Sequence, residues 1–455
     1  MQKLTLLFLF VCVIYFKANA QVNFQEFGSF KEVLTKAKSE KKLIFIQVKS
    51  LECDQCNIVA KKGLSSTSLK EKFEFNFVSL ETSPDQLIYK EIVESLNIED
   101  QKMGSLFFDE EGYLLVSMAS THSSALIYLE NADQTIQLSK NNPMKELESF
   151  YLQNPNDKDL LIKLITKKNA ANFNTDKLLE KYLELHTIKD FCTLENAKLI
   201  LEQGPALESK TRKFMNACFS NKEIDSLFNS YSSEKRSKIN QKTINATNKA
   251  AIQNKNKNLA IQLSNFIANS YGKNYERANI ERGSYLLNFY YNIKDTINFN
   301  MQAANYCDYS LMKIPVDTLI KKAKIERNAV FAKQLTNFED KKMKQISFSS
   351  YYQKFATDLN NAAFGTFLFS KDLEKIAKAL KWSKRSLEIY DALSPNENLK
   401  NNPAFLDTYA CLLFKLGQKE EAIQTELLAI QNSKKQGFSS LIYEERLKKI
   451  TENKL

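Results

Sequence analysis

Leu43-Ile44-Phe45-Ile46-Gln47-Val48-Lys49-Ser50-Leu51-Glu52-Cys53-Asp54-Gln55-Cys56 is the stretch on which the reading of this chain turns. Leu43 to Lys49 is short, apolar and rich in β-forming residues, which predicts a buried strand. Cys53 and Cys56 follow where such a strand hands over to a helix. Two thiols three positions apart at a helix start can close a small disulfide, and the helix N-terminus favours the thiolate of the first. That is the working part of a thiol–disulfide exchanger. Half of a zinc site has the same spacing, so the surroundings decide what the pair means.

Upstream, residues 1–20 read as an address. Lys3 gives a positive start, Leu4 to Phe16 is almost unbroken apolar, and Ala18-Asn19-Ala20 supplies a small-x-small cleavage pattern. A signal peptide is therefore expected, with a mature chain starting at Gln21. Its apolar run is short for a membrane span and no later stretch approaches ~20 apolar residues, so no span is expected after removal. Cys12 lies well before the cleavage point, which argues against a lipid anchor. The expected destination is a periplasm or the medium, where disulfides persist.

Composition narrows the class. The 455 residues allow two or three domains, and only 10 Gly and 7 Pro point to long helices joined by short turns. The net charge is +11, from lysines interleaved with Glu and Asp along helical faces, which reads as a solvated surface and not as a nucleic-acid interface. His122 and His186 are the only histidines, and no Cys/His cluster accompanies them, so no metal site is expected. No motif for a cofactor occurs, and none is expected. Besides Cys53 and Cys56, the mature chain keeps Cys192, Cys218, Cys307 and Cys411 on apolar helical stretches. Their expected state is a buried free thiol, with a Cys192–Cys218 bridge left open by the spacing.

Residues 21–150 read as an α/β unit. Ser29-Phe30-Lys31-Glu32 is a capping box that opens a helix to about Lys42. After the strand, a helix from Cys53 to about Lys62 is expected, then a strand over Phe75 to Leu80. Pro84 at a helix start leads Gln86 to Leu96, with Leu87, Ile88, Ile92, Val93 and Leu96 as its buried face. Ser105–Phe108 and Tyr113–Met118 flank a Gly112 turn as a hairpin, and a helix from about Ser123 closes the unit. This order specifies an α/β sandwich around a central sheet.

At this point Lys36-Ala37-Lys38-Ser39-Glu40-Lys41-Lys42, the apolar strand, Cys53-Asp54-Gln55-Cys56, Phe77-Val78 and Leu106-Phe107-Phe108-Asp109-Glu110-Glu111-Gly112-Tyr113-Leu114 resemble the secreted thioredoxin-like proteins of bacteria. The resemblance spans about residues 24–150. It implies the thioredoxin fold, with Cys53 as the exposed attacking cysteine and Cys56 as the buried resolving one. Three departures bear on the chemistry. The family's cis-proline has no counterpart, since Pro84 and Pro143 lie elsewhere; Met103 and Gly104 match that substrate-binding place. A cis peptide costs ~3 kcal/mol without proline, which predicts a trans peptide before Met103. The buried acid six residues before the first cysteine is Gln47, which cannot titrate, and Glu52 and Asp54 flank Cys53 with negative charge.

Asn154-Pro155-Asn156-Asp157 is a turn cluster and the expected domain boundary, and residues 155–455 read as helices throughout. Tyr285, Leu286, Phe289, Tyr290 and Ile293 make one apolar stripe, and Ile297, Met301, Ala304 and Leu311 the next. Between Pro403 and about Lys434, Ala410, Ala422 and Ala429 fall at the small positions of a tetratricopeptide repeat, with Gly417 at the turn. Residues 360–390, with Ala379 and Trp382, resemble a degenerate preceding repeat. The dense Asn and Lys of 234–258 leave a polar helix or a mobile connector open.

Two readings follow. In one, the chain is an exported thiol–disulfide oxidoreductase acting through Cys53 and Cys56, its helical array holding a protein client or redox partner. In the other, both parts are non-catalytic binding modules.

Overall fold

The computed structural model describes residues 21–50, 54–96, 104–118, 120–140, 143–170, 175–335, 350–394, 396–436 and 440–455. The expected signal peptide, Glu52, Cys53 and Met103 lie outside them. The chain divides into two compact units, one ending at Leu185 and one beginning at His186.

The first unit holds a mixed four-stranded sheet. Its strands are β1 (Leu43–Val48), β2 (Phe77–Thr82), β3 (Gly104–Phe108) and β4 (Leu114–Met118), in the order β2-β1-β3-β4. β1 runs parallel to β2 and antiparallel to β3, and β3 to β4 is antiparallel. Its helices are α1 (Phe30–Glu40), α2 (Asp54–Gly63), α3 (Thr67–Asn76), α4 (Leu87–Leu96) and α5 (Ala125–Lys140), then α6 (Pro143–Gln153), α7 (Lys158–Ala170) and α8 (Asp176–Glu184).

All six β1 side chains are buried, because both faces of the sheet are covered. Strand alternation sends Ile44, Ile46 and Val48 to one side, where Phe30, Val33 and Ala37 of α1 and Ile88, Tyr89 and Ile92 of α4 cover them. Leu43 and Phe45 face the other, against Leu69 and Phe73 of α3 and Tyr128 and Ala132 of α5. Phe45 meets Phe73 edge-on at 4.7 Å between ring centres, so Phe45→Ala would cost ~3–5 kcal/mol.

Local chemistry sets the element ends. Ser29 Oγ accepts from Glu32 N at 3.4 Å and starts α1. Glu32 Oε2 accepts from Gly28 N at 3.0 Å, one residue earlier than a capping box places it. In the β3–β4 turn, Asp109 Oδ1 accepts from Glu111 N and Tyr113 N at 3.0 and 2.8 Å, and Gly112 takes φ +90°. That backbone region favours glycine.

Several details differ from the sequence reading. Phe75 and Asn76 belong to α3, and β2 begins at Phe77. The alternation Phe73-x-Phe75-x-Phe77 imitates a strand, but Phe73 packs in the core as part of a helix while Phe75 is 80% exposed. Pro84 lies in the turn before α4 and not in its first helical turn. On α4, Leu87 is 75% exposed and Tyr89 is buried in its stead, since α4 presents the face carrying Ile88, Tyr89 and Ile92 to α1 and the sheet. The expected boundary falls in the turn between α6 and α7, where Asp157 Oδ1 accepts from Asp159 N and Leu160 N; the compact units part later, after Leu185.

The second unit, in its described residues, is helical: α9 (Ile188–Phe191), α10 (Leu194–Gln203), α11 (Lys210–Cys218), α12 (Asn221–Asn229), α13 (Ser233–Gln253), α14 (Lys257–Asn269), α15 (Tyr275–Asn292) and α16 (Thr296–Tyr306), then α17 (Val316–Leu335), α18 (Gln353–Phe369), α19 (Leu373–Leu393), α20 (Pro403–Lys415), α21 (Lys419–Lys435) and α22 (Leu441–Thr451). Capping side chains open many of these, among them Ser209, Ser232, Asn256, Asn274, Asp295 and Asp372, each accepting from a first-turn N–H. The Asn- and Lys-rich stretch is α13, held by buried Ile239, Thr243, Thr247 and Ala251.

Successive helices pack side by side. Ala410, Ala422 and Ala429 are fully buried where α20 meets α21, and Gly417 sits at φ +79° in their turn. Two other glycines admit aromatic rings of α16. A Cβ on Gly365 of α18 would stand 2.2 Å from the Phe299 ring, and one on Gly283 of α15 would stand 2.4 Å from the Tyr306 ring. Half of the second expected apolar stripe is displaced, since Leu311 is buried and Ala304 packs against the core but Ile297 and Met301 do not. Phe299, Ala303 and Tyr306 are buried, whereas Ile297 and Met301 are 80% and 57% exposed.

Candidate functional site

The candidate site lies where β1 hands over to α2. Cys56 is in the first turn of α2, half-buried, and carries a disulfide whose partner is outside the described residues. Asp54 opens the same helix. Before it, Ser50 and Asn57 clasp each other: Ser50 N donates to Asn57 Oδ1 at 2.8 Å, and Asn57 Nδ2 donates to Ser50 O at 2.9 Å. The two bonds fix the chain just after β1 to the first turn of α2. Lys49 N donates to Thr82 O at 2.8 Å, so the residue after β1 is tied to β2.

Within β1, Gln47 is buried at 2% exposure, and its Oε1 accepts from Ser105 Oγ at 2.8 Å. Ser105 is its direct partner in the antiparallel β1–β3 register, and Gly104 pairs with Val48 one step on. Gly104 therefore lies at the end of β3 that pairs with the last residue of β1, with φ +122°, a conformation that favours glycine. This carboxamide–hydroxyl pair satisfies both buried polar groups and offers no group that titrates near neutrality.

The sequence-predicted residues are thus distributed as follows. Gln47 and Gly104 come together at the end of β1, Cys56 lies in the first turn of α2, and Cys53 and Met103 fall outside the described residues. Asn57 and Ser105 are site residues that sequence reasoning misses. Asn57 reaches back seven residues to a backbone group, a span with no local motif, and Ser105 meets Gln47 only because β3 lies beside β1.

The other cysteines split. Cys192 and Cys218 form a disulfide with Cα atoms 5.2 Å apart, which corrects the expectation of free thiols there and settles the open alternative. It joins the segment after α9 to the end of α11. With a sequence separation of 26, closing that loop removes unfolded-chain entropy worth on the order of 3.5 kcal/mol. Cys307 and Cys411 are free and fully buried, and burial pushes both thiols well above their ordinary value, which leaves them inert.

Among the described residues, no group of three or more His, Cys, Asp and Glu could hold a metal ion. No helix among them is long and apolar enough to cross a membrane. No family model matches the chain, and no curated protein matches it significantly.

Proposed function

We propose that this protein is an exported thiol–disulfide oxidoreductase of the thioredoxin-like type, working through Cys53 and Cys56, with its helical region holding a protein client. The observation that carries the reading is a disulfide-bonded Cys56 in the first turn of α2, directly after the fully buried β1. The element order supports the fold assignment: a central mixed sheet, covered by α1 and α4 on one side and by α3 and α5 on the other.

The chemistry balances without a cofactor. In the reduced enzyme the Cys53 thiolate attacks one sulfur of a client disulfide, and the other client sulfur leaves as a thiolate. Cys56 then loses its proton, attacks Cys53 Sγ of the mixed disulfide, and expels the second client sulfur. Two electrons have passed to the client, and a dithiol partner returns the enzyme disulfide to the reduced state. Run backwards, the same steps oxidise a client. The Ser50–Asn57 clasp ties the chain just after β1 to the first turn of α2, which holds Cys56.

One observation favours the second reading, a thioredoxin-fold binding module without turnover. The place of a buried proton acceptor is taken by Gln47, whose amide is already engaged by Ser105. The two readings part in a trapping experiment. A Cys56→Ser variant lacks the resolving thiol, so it should accumulate client-sized mixed disulfides on Cys53, seen as bands that collapse on reduction. If this variant traps no client from an oxidising compartment at any pH, the binding-module reading stands in its place.

A further inference from the structure

The displaced stripe of α16 leaves a groove in the second unit. Thr296, Ile297, Asn300, Met301 and Ala304 of α16 line one side, Lys375, Lys378 and Trp382 of α19 the other, and Thr366 of α18 lies between, around a volume of about 390 Å³. Ile297 and Met301 are spaced i, i+4 on one helical face and stand largely in solvent. Trp382 is fixed opposite them, since its Nε1 donates to Asp308 Oδ1 at 2.7 Å. That carboxylate sits in a π-helical turn, Cys307–Leu311, that continues α16.

Two features describe an occupant. The walls are apolar and open, so whatever fills them must bring its own cover, as a polypeptide does and a small molecule does not. The charged residues lining the groove are Lys375 and Lys378, with no carboxylate among the lining residues; Lys375 also pairs with Asp372 at 3.5 Å.

We propose that this groove binds an extended acidic segment of a partner protein. One large apolar side chain of the segment lies between Ile297, Met301 and Trp382. Carboxylates flanking it pair with Lys375 and Lys378. The inference rests on the reading of the helical region as a client-holding surface and names the chemistry of what is held.

The test uses fluorescence anisotropy on the full mature chain. The probes are short fluorescein-labelled synthetic peptides: one with a central leucine flanked by aspartates, one with serine for the leucine, and one with lysines for the aspartates. The leucine–aspartate peptide should bind, and each change to it should weaken binding by about tenfold or more. Lys375→Glu with Lys378→Glu, and separately Met301→Asp, should do the same. All three positions are exposed, so circular dichroism and melting should match the parent chain. Absence of binding, equal binding of the three peptides, or insensitivity to the variants would overturn the proposal. So would self-association of the parent chain that Met301→Asp alone abolishes, because the occupant would then be a second copy. Peptide binding involves no thiol, so its failure is separate from failure of the Cys56→Ser trap.

Discussion

Single charges set the behaviour of two places in this chain. In the oxidoreductase reading proposed above, the sequence neighbours Glu52 and Asp54 oppose ionisation of Cys53, offsetting the pull of the α2 N-terminus. Replacing Asp54 by Asn removes a negative charge while keeping the shape. The Cys56→Ser trap should therefore form several-fold faster at pH ~7 in the Asp54→Asn background, with the difference fading as pH passes the ordinary thiol value of ~8.5. An unchanged rate–pH profile from alkylation of Cys53 would show that Asp54 does not face the thiol.

The second place is buried between α20, α21 and α22. Arg446 Nε donates to Asp407 Oδ1 at 3.0 Å, and the fully buried Glu426 stands against the same carboxylate. Burial, then the charge of Asp407, pushes Glu426 up from 4.5 to about 9. One guanidinium thus serves two carboxyls, and Glu426 keeps its proton. A folded-state value above the unfolded one means that the folded state binds the extra proton. Stability is then greatest below the unfolded value and falls through the window from 4.5 to about 9, by up to ~1.4 kcal/mol per pH unit. Glu426→Gln should flatten this slope and raise the melting temperature at pH ~8 relative to the parent. A parent chain whose melting temperature does not fall between pH ~5 and ~9 would refute the assignment.

At the scale of elements, helix contacts depend on small residues that sequence periodicity treats as neutral. Gly365 and Gly283 are where the rings of Phe299 and Tyr306 enter neighbouring helices. Gly365→Ala gains ~1 kcal/mol of helix propensity in isolation. It also drives a methyl into a buried ring 2.2 Å away, and such overpacking costs ~1–3 kcal/mol or more. Net destabilisation is expected in urea unfolding, relieved by Phe299→Leu in the same chain. Helix starts are legible beforehand, because a capping Ser, Asn or Asp acts on N–H groups two and three residues away. Helix faces are less so: Leu87, Ile297 and Met301 obey the periodicity yet stand in solvent.

At the scale of the molecule, each unit has a core cluster of its own. The two clusters covering the sheet contain only residues from Val22 to Leu138, and the large helical cluster only residues from Leu207 onward. The second unit also carries its own disulfide, Cys192–Cys218. A fragment beginning at His186 should therefore fold alone, with helical circular dichroism and a cooperative melt. A fragment that is unfolded or melts without cooperativity would show that its core needs the first unit.

What the sequence determined by itself is local in origin. Strand β1, the N-terminus of α1, the Gly112 turn, the α20–Gly417–α21 pair and the proximity of Cys56 to a helix start all follow from neighbours within a few residues. There, hydrogen bonding and allowed backbone angles decide the outcome. Tertiary structure decided the rest. It turned Phe75 outward, paired Ser105 with Gln47, clasped Ser50 to Asn57, bridged Cys192 to Cys218 and opened the groove beside Trp382. Each of these depends on which distant surface arrives to cover a side chain, and burial energy is scored against that partner, not against the residue's own neighbours in the chain.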